Sequence, residues 1–187
     1  QYDVLGRRTS KRVVYGDSAE AEETHFRWEG LRLVQERRGG TTRSYVYDPD
    51  EHYTPLARIT GEGERRETEY FHTDLNGAPL EVTDGEGHIR WCGKSRAWGR
   101  VILHVRPEKE CGGLAVQPLR YPGQSSDEET GLHHNTLRYP DPAVGRFTSQ
   151  DPIGLAGGIY PYAHAPTPLP VAHLFGLYVS RNSVQVG

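Results

Sequence analysis

Few side chains in this 187-residue sequence have the type and spacing for chemistry. His133 and His134 raise a metal question, yet neighbours on a strand point to opposite faces, and no His-x-His or Cys-x-x-Cys accompanies them. They read as incidental surface or packing histidines, and no metal is expected. Cys92 and Cys111 lie too far apart for a zinc motif, and a single pair does not establish an oxidising compartment. Two free thiols are the expectation and a disulfide the alternative. Gly154 to Gly158 has the glycine density of a phosphate loop but lacks the Lys-Ser/Thr that should follow, so tight turns explain it better. There is no Gly-x-Ser-x-Gly elbow, and Cys111 carries no nucleophile signature. No cofactor is implied.

The bulk properties narrow the function classes. Hydrophobic residues make up 35%, low for a compact domain of this length, so a free-standing globule is not the first expectation. The 22 Lys and Arg and 25 Asp and Glu are interspersed with a net charge of −3, which gives no footprint for nucleic acid or an anionic membrane. No run approaches the roughly 18 apolar residues of a membrane helix. The N-terminus has no charged-then-apolar signal peptide. Methionine is absent and Gln1 opens inside a repeat-like phrase, so the chain is expected to be an excerpt of a longer polypeptide.

The elements that must position these residues read as strands and turns. Tyr2-Asp3-Val4-Leu5-Gly6-Arg7-Arg8 has the chemistry of a tight turn: an Asp that bonds the backbone two residues on, and a Gly free to take positive φ. Asp17 to Glu23 reads as a loop. Phe26, Trp28, Leu31 and Leu33 nearly alternate with polar residues, predicting two strands that meet at Glu29-Gly30. Gly39-Gly40 breaks that run. Tyr45 to Tyr47 and Leu56 to Ile59 predict strands on either side of Asp48-Pro49-Asp50, with a reversal at Gly61 to Glu64. Tyr70 to Trp91 predicts an aromatic strand, an Asp-x-Asn-Gly turn, a strand ending at Val82, a Gly-rich turn and a further strand. Trp98 to Val101, with Ile102 and Val105, predicts one more strand. The tyrosines are expected to stack along this meander as packing. From Leu119 onward the chain is punctuated by Gly, Pro and Tyr, with no long 3.6-residue stripe, so turns and short extended pieces are expected.

The phrases beginning near Tyr2, Tyr47 and Tyr70 resemble the YD repeat. The run Tyr121-x-Gly123-Gln124, Asp127 to Leu132, Arg138-Tyr139, Gly145-Arg146-Phe147 and Asp151-Pro152-x-Gly154-Leu155-Ala156-Gly157-Gly158 resembles the core-associated region of rearrangement-hotspot (Rhs) proteins. The resemblance implies an all-β fold: YD-repeat β-hairpins forming a curved sheet, part of an Rhs shell, with a turn-rich C-terminal plug. It implies repeats over 1–106, a polar linker over 107–118, the core-associated domain over 119–177 and a remnant of a variable region over 178–187. Repeats that cannot bury their own apolar face lean on their neighbours. In the family such shells enclose a C-terminal toxin for competition between bacteria.

The resemblance also implies an aspartic-protease-like pair at two Asp-Pro-x-Gly-Leu motifs 22 residues apart, cutting after the second Leu. Asp151 stands at the first motif, and His173 stands 22 residues on, followed by Gly176 and Leu177. Two close carboxylates split their pKa values into an acid and a base. An imidazole beside Asp151 forms an ion pair instead, so loss of autocleavage is expected. Gln150 occupies the position where the family carries a basic residue. Ten residues after Leu177 cannot form an enzyme, so this copy reads as lacking its toxin.

The implied partners are the upstream remainder of the shell, a toxin domain, its immunity protein and a type VI secretion spike protein; no nucleic acid and no transmembrane segment are implied. The implied setting is bacterial, cytoplasmic before export and then secreted or cell-surface. Two rival readings differ in class. One is an active autoprotease using Asp151 with His173 or Asp141, cleaving Leu177-Tyr178. The other is a carbohydrate- or cell-surface-binding module displaying Trp91 and Trp98.

Overall fold

The computed structural model describes residues 1–16, 20–102, 116–156 and 159–163. Eight strands form one antiparallel sheet in chain order: β1 (Ser10–Val14), β2 (Ala21–Glu29), β3 (Arg32–Arg38), β4 (Thr41–Tyr47), β5 (Pro55–Thr60), β6 (Glu67–Thr73), β7 (Pro79–Thr83) and β8 (Ile89–Cys92). Short connections put each strand beside its predecessor, so the meander forms from local pairings. The fold is all-β, and no α-helix occurs among the described residues.

The register assigns one row of side chains to a single face. Phe26 lies opposite Glu36, Glu36 opposite Arg43, Tyr45 opposite Arg58, Arg58 opposite Glu69, Phe71 opposite Val82 and Val82 opposite Trp91. Directly opposed residues share a face. On that face Phe26, Leu33, Tyr45, Phe71, Val82 and Trp91 form the core, and Leu119 enters it from the far end of the sequence. Register irregularities at Arg27/Trp28, Val46/Tyr47, His72/Thr73 and Val82/Thr83 bend the strands locally.

Buried charge interrupts this apolar face. Arg58 pairs with Glu69 across β5 and β6 at 2.6 Å and donates to the Val116 carbonyl, also at 2.6 Å. The Tyr45 hydroxyl donates to Glu36 Oε1 at 3.0 Å, and Arg43 reaches the same oxygen at 3.2 Å. A charge so placed is tolerable only because its partner is one strand away.

The face is covered by residues 116–163, which run through β11 (Ser125–Ser126), β12 (His133–His134), β13 (Pro140–Asp141), β14 (Arg146–Phe147) and a 3-10 turn at Gly154–Ala156. β11 pairs with β12 and β13 with β14. A separate small hairpin, β9 (Lys94–Ser95) with β10 (Val101–Ile102), precedes them. Its Trp98 ring lies against Gly145, where a Cβ would come within 2.4 Å of the ring at φ +68, so that position accepts only glycine.

Three expectations are corrected here. Glu22 and Glu23 belong to β2 and not to a loop, because they pair with β1 opposite Val13 and Arg12. Trp98 lies in the turn of the β9–β10 hairpin, with only Val101 and Ile102 in the strand, while Val105 is outside the described residues. Cys92 is disulfide-bonded and not a free thiol; Cys111 lies outside the described residues.

Candidate functional site

Asp151 sits in a local structure that the repeats also use. At Asp3, Asp74 and Asp84 one carboxylate oxygen accepts the N–H groups of residues i+2 and i+4, at 2.8–3.1 Å. The glycine at i+3 has φ of +75, +75 and +83 and donates to the Asp carbonyl. Asp151-Pro152-Ile153-Gly154 repeats half of this device. Ile153 N–H donates to Oδ1 at 3.1 Å, and Gly154, at φ +57, donates to the Asp151 carbonyl at 2.9 Å. Both halves follow from an Asp that caps its own turn.

The second oxygen is thereby free to point elsewhere. Arg138 Nη2 meets Asp151 Oδ2 at 2.9 Å, both side chains being buried. A tight turn delivers the arginine: Asn135 and Arg138 exchange backbone hydrogen bonds of 2.9 and 3.1 Å across Thr136, which takes φ +47. The guanidinium stacks 3.5 Å above the Phe147 ring and donates through Nη1 to the Pro161 carbonyl at 3.2 Å. Burial pulls Arg138 below its ordinary range while Asp151 pulls the other way. The Asp151 N–H donates to Pro161 O at 2.9 Å, and Phe147 N–H to Tyr162 O at 3.0 Å, so residues 159–163 fold back over the pair. Around it Ile153, Leu155, Ile159 and Tyr160 are exposed.

Gln150, the position expected to carry a basic residue, is exposed; the cation against Asp151 is Arg138. Adjacency in sequence directs attention to Gln150, whereas the turn at Thr136 brings Arg138 from 13 residues upstream. Asp141, the alternative acid, spends Oδ1 on the Ala143 N–H of its own turn at 2.8 Å. His173, Leu177 and Tyr178 lie outside the described residues. Trp91 is buried in the core, which removes it as a displayed sugar platform.

A second charged cluster, missed in the sequence, joins the segment to the sheet. Asp127 is buried and accepts from Arg8 Nη1 and Nη2 at 2.6 and 2.9 Å, and from Lys11 at 3.0 Å. Lys11 also pairs with Glu129 at 2.8 Å. Burial pushes the Asp127 carboxyl up, but the hydrogen bonds and charges of Arg8 and Lys11 outweigh it and hold the group below its ordinary 3.8. His133 and His134 are both buried, His134 against Trp28 at 5.9 Å and Tyr139 at 5.3 Å between ring centres. Burial, with the nearby Arg8 charge, pushes His134 down to about 3. Asp84, Glu86 and His88 bring possible ligand atoms within 4.8 Å on an exposed turn, where Asp84 already serves as the turn's cap.

Known proteins are similar to this chain. The model of a family described as RHS protein matches residues 69–105. Double-stranded DNA deaminase toxin A of Burkholderia cenocepacia is 44% identical over 94% of this chain and 13% of its own length. Toxin protein Tse5 of Pseudomonas aeruginosa is 35% identical over 88% of this chain and 14% of its own. The probable deoxyribonuclease RhsA of Dickeya dadantii is 34% identical over 95% of this chain and 12% of its own. The chain therefore spans only about an eighth of the length of these curated relatives. Among solved structures, a TcdB2-TccC3-Cdc42 complex aligns with a TM-score of 0.56 at 21% identity, covering 95% of this chain and 10% of that one. The Tc holotoxin pore of Photorhabdus luminescens aligns at 0.54 and 18% identity, covering 97% and 10%. These two share the fold. With repeat phrases along the meander, the Asp127 and Asp151 motifs in order beyond it, and toxin relatives matching along nearly its whole length, the chain belongs to the Rhs family of YD-repeat proteins.

Proposed function

We propose that this chain is a wall-and-plug section of an Rhs-type toxin shell. The meander supplies a strip of wall, residues 116–163 close over its inner row, and the cargo of the longer polypeptide is a toxin used between bacteria. The observation that carries this reading is the union of sheet and plug, Leu119 in the core and Asp127 on Arg8, in a chain 44% identical to a deaminase toxin. β1 and β8 end the sheet, and strands left with one neighbour take further strands. On this reading the partners are the rest of the shell at those edges, a toxin domain, its immunity protein and a secretion spike.

Self-cutting is read as idle. Asp151 is committed to Arg138, and His173 stands at the spacing of the second acid, where an imidazole gives an ion pair and not two carboxylates sharing a proton. The test is a chimera in which this chain replaces the matching stretch of the Burkholderia toxin. The cargo is expected to resist trypsin, with the polypeptide uncut by intact mass. His173→Asp with Leu174→Pro is expected to produce a cut at Leu177-Tyr178 that Asp151→Asn abolishes. Cargo digested as fast as free toxin contradicts the wall reading. A cut after Leu177 without the added acid, lost in Asp151→Asn, establishes the autoprotease instead.

A further inference from the structure

β8 is the last strand of the sheet and has one neighbour, β7. Its Trp91 lies in the core opposite Val82, so the next residue, Cys92, opposite Glu81, points from the other face and is half-buried. Cys92 is disulfide-bonded, and the sequence holds one other cysteine, Cys111, 19 residues on and outside the described residues. The bond therefore ties the end of the sheet to a position five residues before Val116, where the description of the plug begins.

The stretch that this bond encloses is the covalent connection between wall and plug. At its start the chain doubles back: the Gly93 N–H donates to the Leu80 carbonyl at 2.9 Å, and a Cβ at Gly93 would come within 2.6 Å of Val101 and 2.8 Å of the Trp91 ring, so the β9–β10 hairpin lies close against β8. The hairpin sets Trp98 on Gly145 of the plug. Just past the far end of the stretch, the Val116 carbonyl accepts from Arg58 and Leu119 enters the core. An edge strand of four residues is held by a single ladder and opens more easily than the strands inside the sheet. A cross-link at its last residue removes conformations of the opened chain, and closing a loop of about 20 residues shifts a folding equilibrium by roughly a hundredfold. Such bonds persist in oxidising surroundings, whereas glutathione and thioredoxin keep thiols reduced in a cytosol.

We propose that Cys92 and Cys111 form a redox clasp: two thiols while the chain is held in a reducing compartment, and one disulfide once it meets a disulfide oxidant, fastening the sheet edge to the connection that leads into the plug. The thiolate of one cysteine attacks a sulfur of the oxidant's disulfide and expels one oxidant thiolate; the other cysteine then attacks the mixed disulfide and expels the second. The chain gives up two electrons and two protons, and the oxidant becomes two thiols. The clasp uses neither Asp151 nor the identity of any cargo, so its test is separate from that of the shell reading.

The test takes the 187-residue chain, purified under reductant, into oxidised glutathione or into a large excess of reduced glutathione. In oxidised glutathione the folded chain is expected to lose both free thiols, remain a single chain by intact mass, and yield a tryptic product in which Trp91–Lys94 is joined to Glu110–Arg120. In reduced glutathione both thiols are expected to persist. Hydrogen exchange of the β4 to β7 amides is expected to slow about a hundredfold on oxidation, and Cys92→Ser with Cys111→Ser to exchange alike in the two buffers. Four results overturn the proposal, and none of them needs a variant that folds: thiols that stay free in oxidised glutathione, a cross-link between two chains or a lasting glutathione adduct, the same bond formed in both buffers, and amide exchange unaltered by the bond.

Discussion

Asp127 shows how much one carboxylate can hold together in this molecule. It is buried, accepts from Arg8 and Lys11 and links residues 119 positions apart. Removing one partner of a buried pair costs about 3–5 kcal/mol, because the other charge stays behind uncompensated. Asp127→Asn is expected to lower stability by that amount in urea unfolding. Acid should act in two stages. His134 is pushed down to about 3 when folded, so the unfolded chain takes up its proton first, and stability falls as pH drops below about 6.5. Asp127 is held below 3.8, so its contribution is present above about pH 4 and is lost as pH falls through the depressed value. A urea series over pH 7 to 2 is expected to show both limbs in the parent, Asp127→Asn removing the lower and His134→Phe the upper. A pH dependence unaltered by either change contradicts the assignment. At this scale the sequence was least readable. Asp127 stood out as part of a motif, but its partner Arg8 looked like ordinary turn charge, and Arg138 was passed over for Gln150 because only a folded turn brings it to Asp151.

Strands and turns were far more legible, since period-2 alternation and Asp-Gly punctuation act over a few residues. Phe26, Trp28 and Leu33 gave β2 and β3, and Asp74-Leu75-Asn76-Gly77 gave the turn between β6 and β7. The failures were at Glu22 and Glu23, whose charge suits a loop but whose backbone pairs with β1, and at Trp98, whose ring covers Gly145 from a turn. Glu36, Arg58 and Glu69 would each read as solvent-facing, because a cross-strand partner is invisible along the chain. The shared turn supports a direct test. Arg96 to Arg100 has the same backbone bonds as the Asp turns, 2.8 Å for both Arg96 N–H to Arg100 O and Gly99 N–H to Arg96 O, with an arginine where those turns carry the capping aspartate. Arg96→Asp is expected to stabilise by about 0.5–1 kcal/mol. Asp74→Ala, which strips the one oxygen that accepts two N–H groups of its turn, is expected to destabilise by about 1–2 kcal/mol. Thermal melts of the two variants with opposite signs would establish the device, and matching signs would contradict it.

For the molecule as a whole, the all-β class and the family were readable, whereas the covering of one sheet face by residues 116–163 was not. That covering joins groups far apart in sequence: Leu119 to the sheet core, Val116 to Arg58, Asp127 to Arg8 and the Tyr2 hydroxyl to that of Tyr139 at 2.5 Å. A sheet with its apolar row exposed would lose its core, and among the described residues the plug alone has little more than two short ladders and turns. The account therefore holds that wall and plug are one cooperative unit. Native-state hydrogen exchange of the 187-residue chain tests this most directly. Amides inside the plug, Asp127 bonded to Leu132, Asn135 to Arg138 and Thr148 to Tyr139, are predicted to exchange only through the same global opening as the central strands β4 to β7. Plug amides that exchange a hundredfold faster than those strands, through a separate opening, would contradict it.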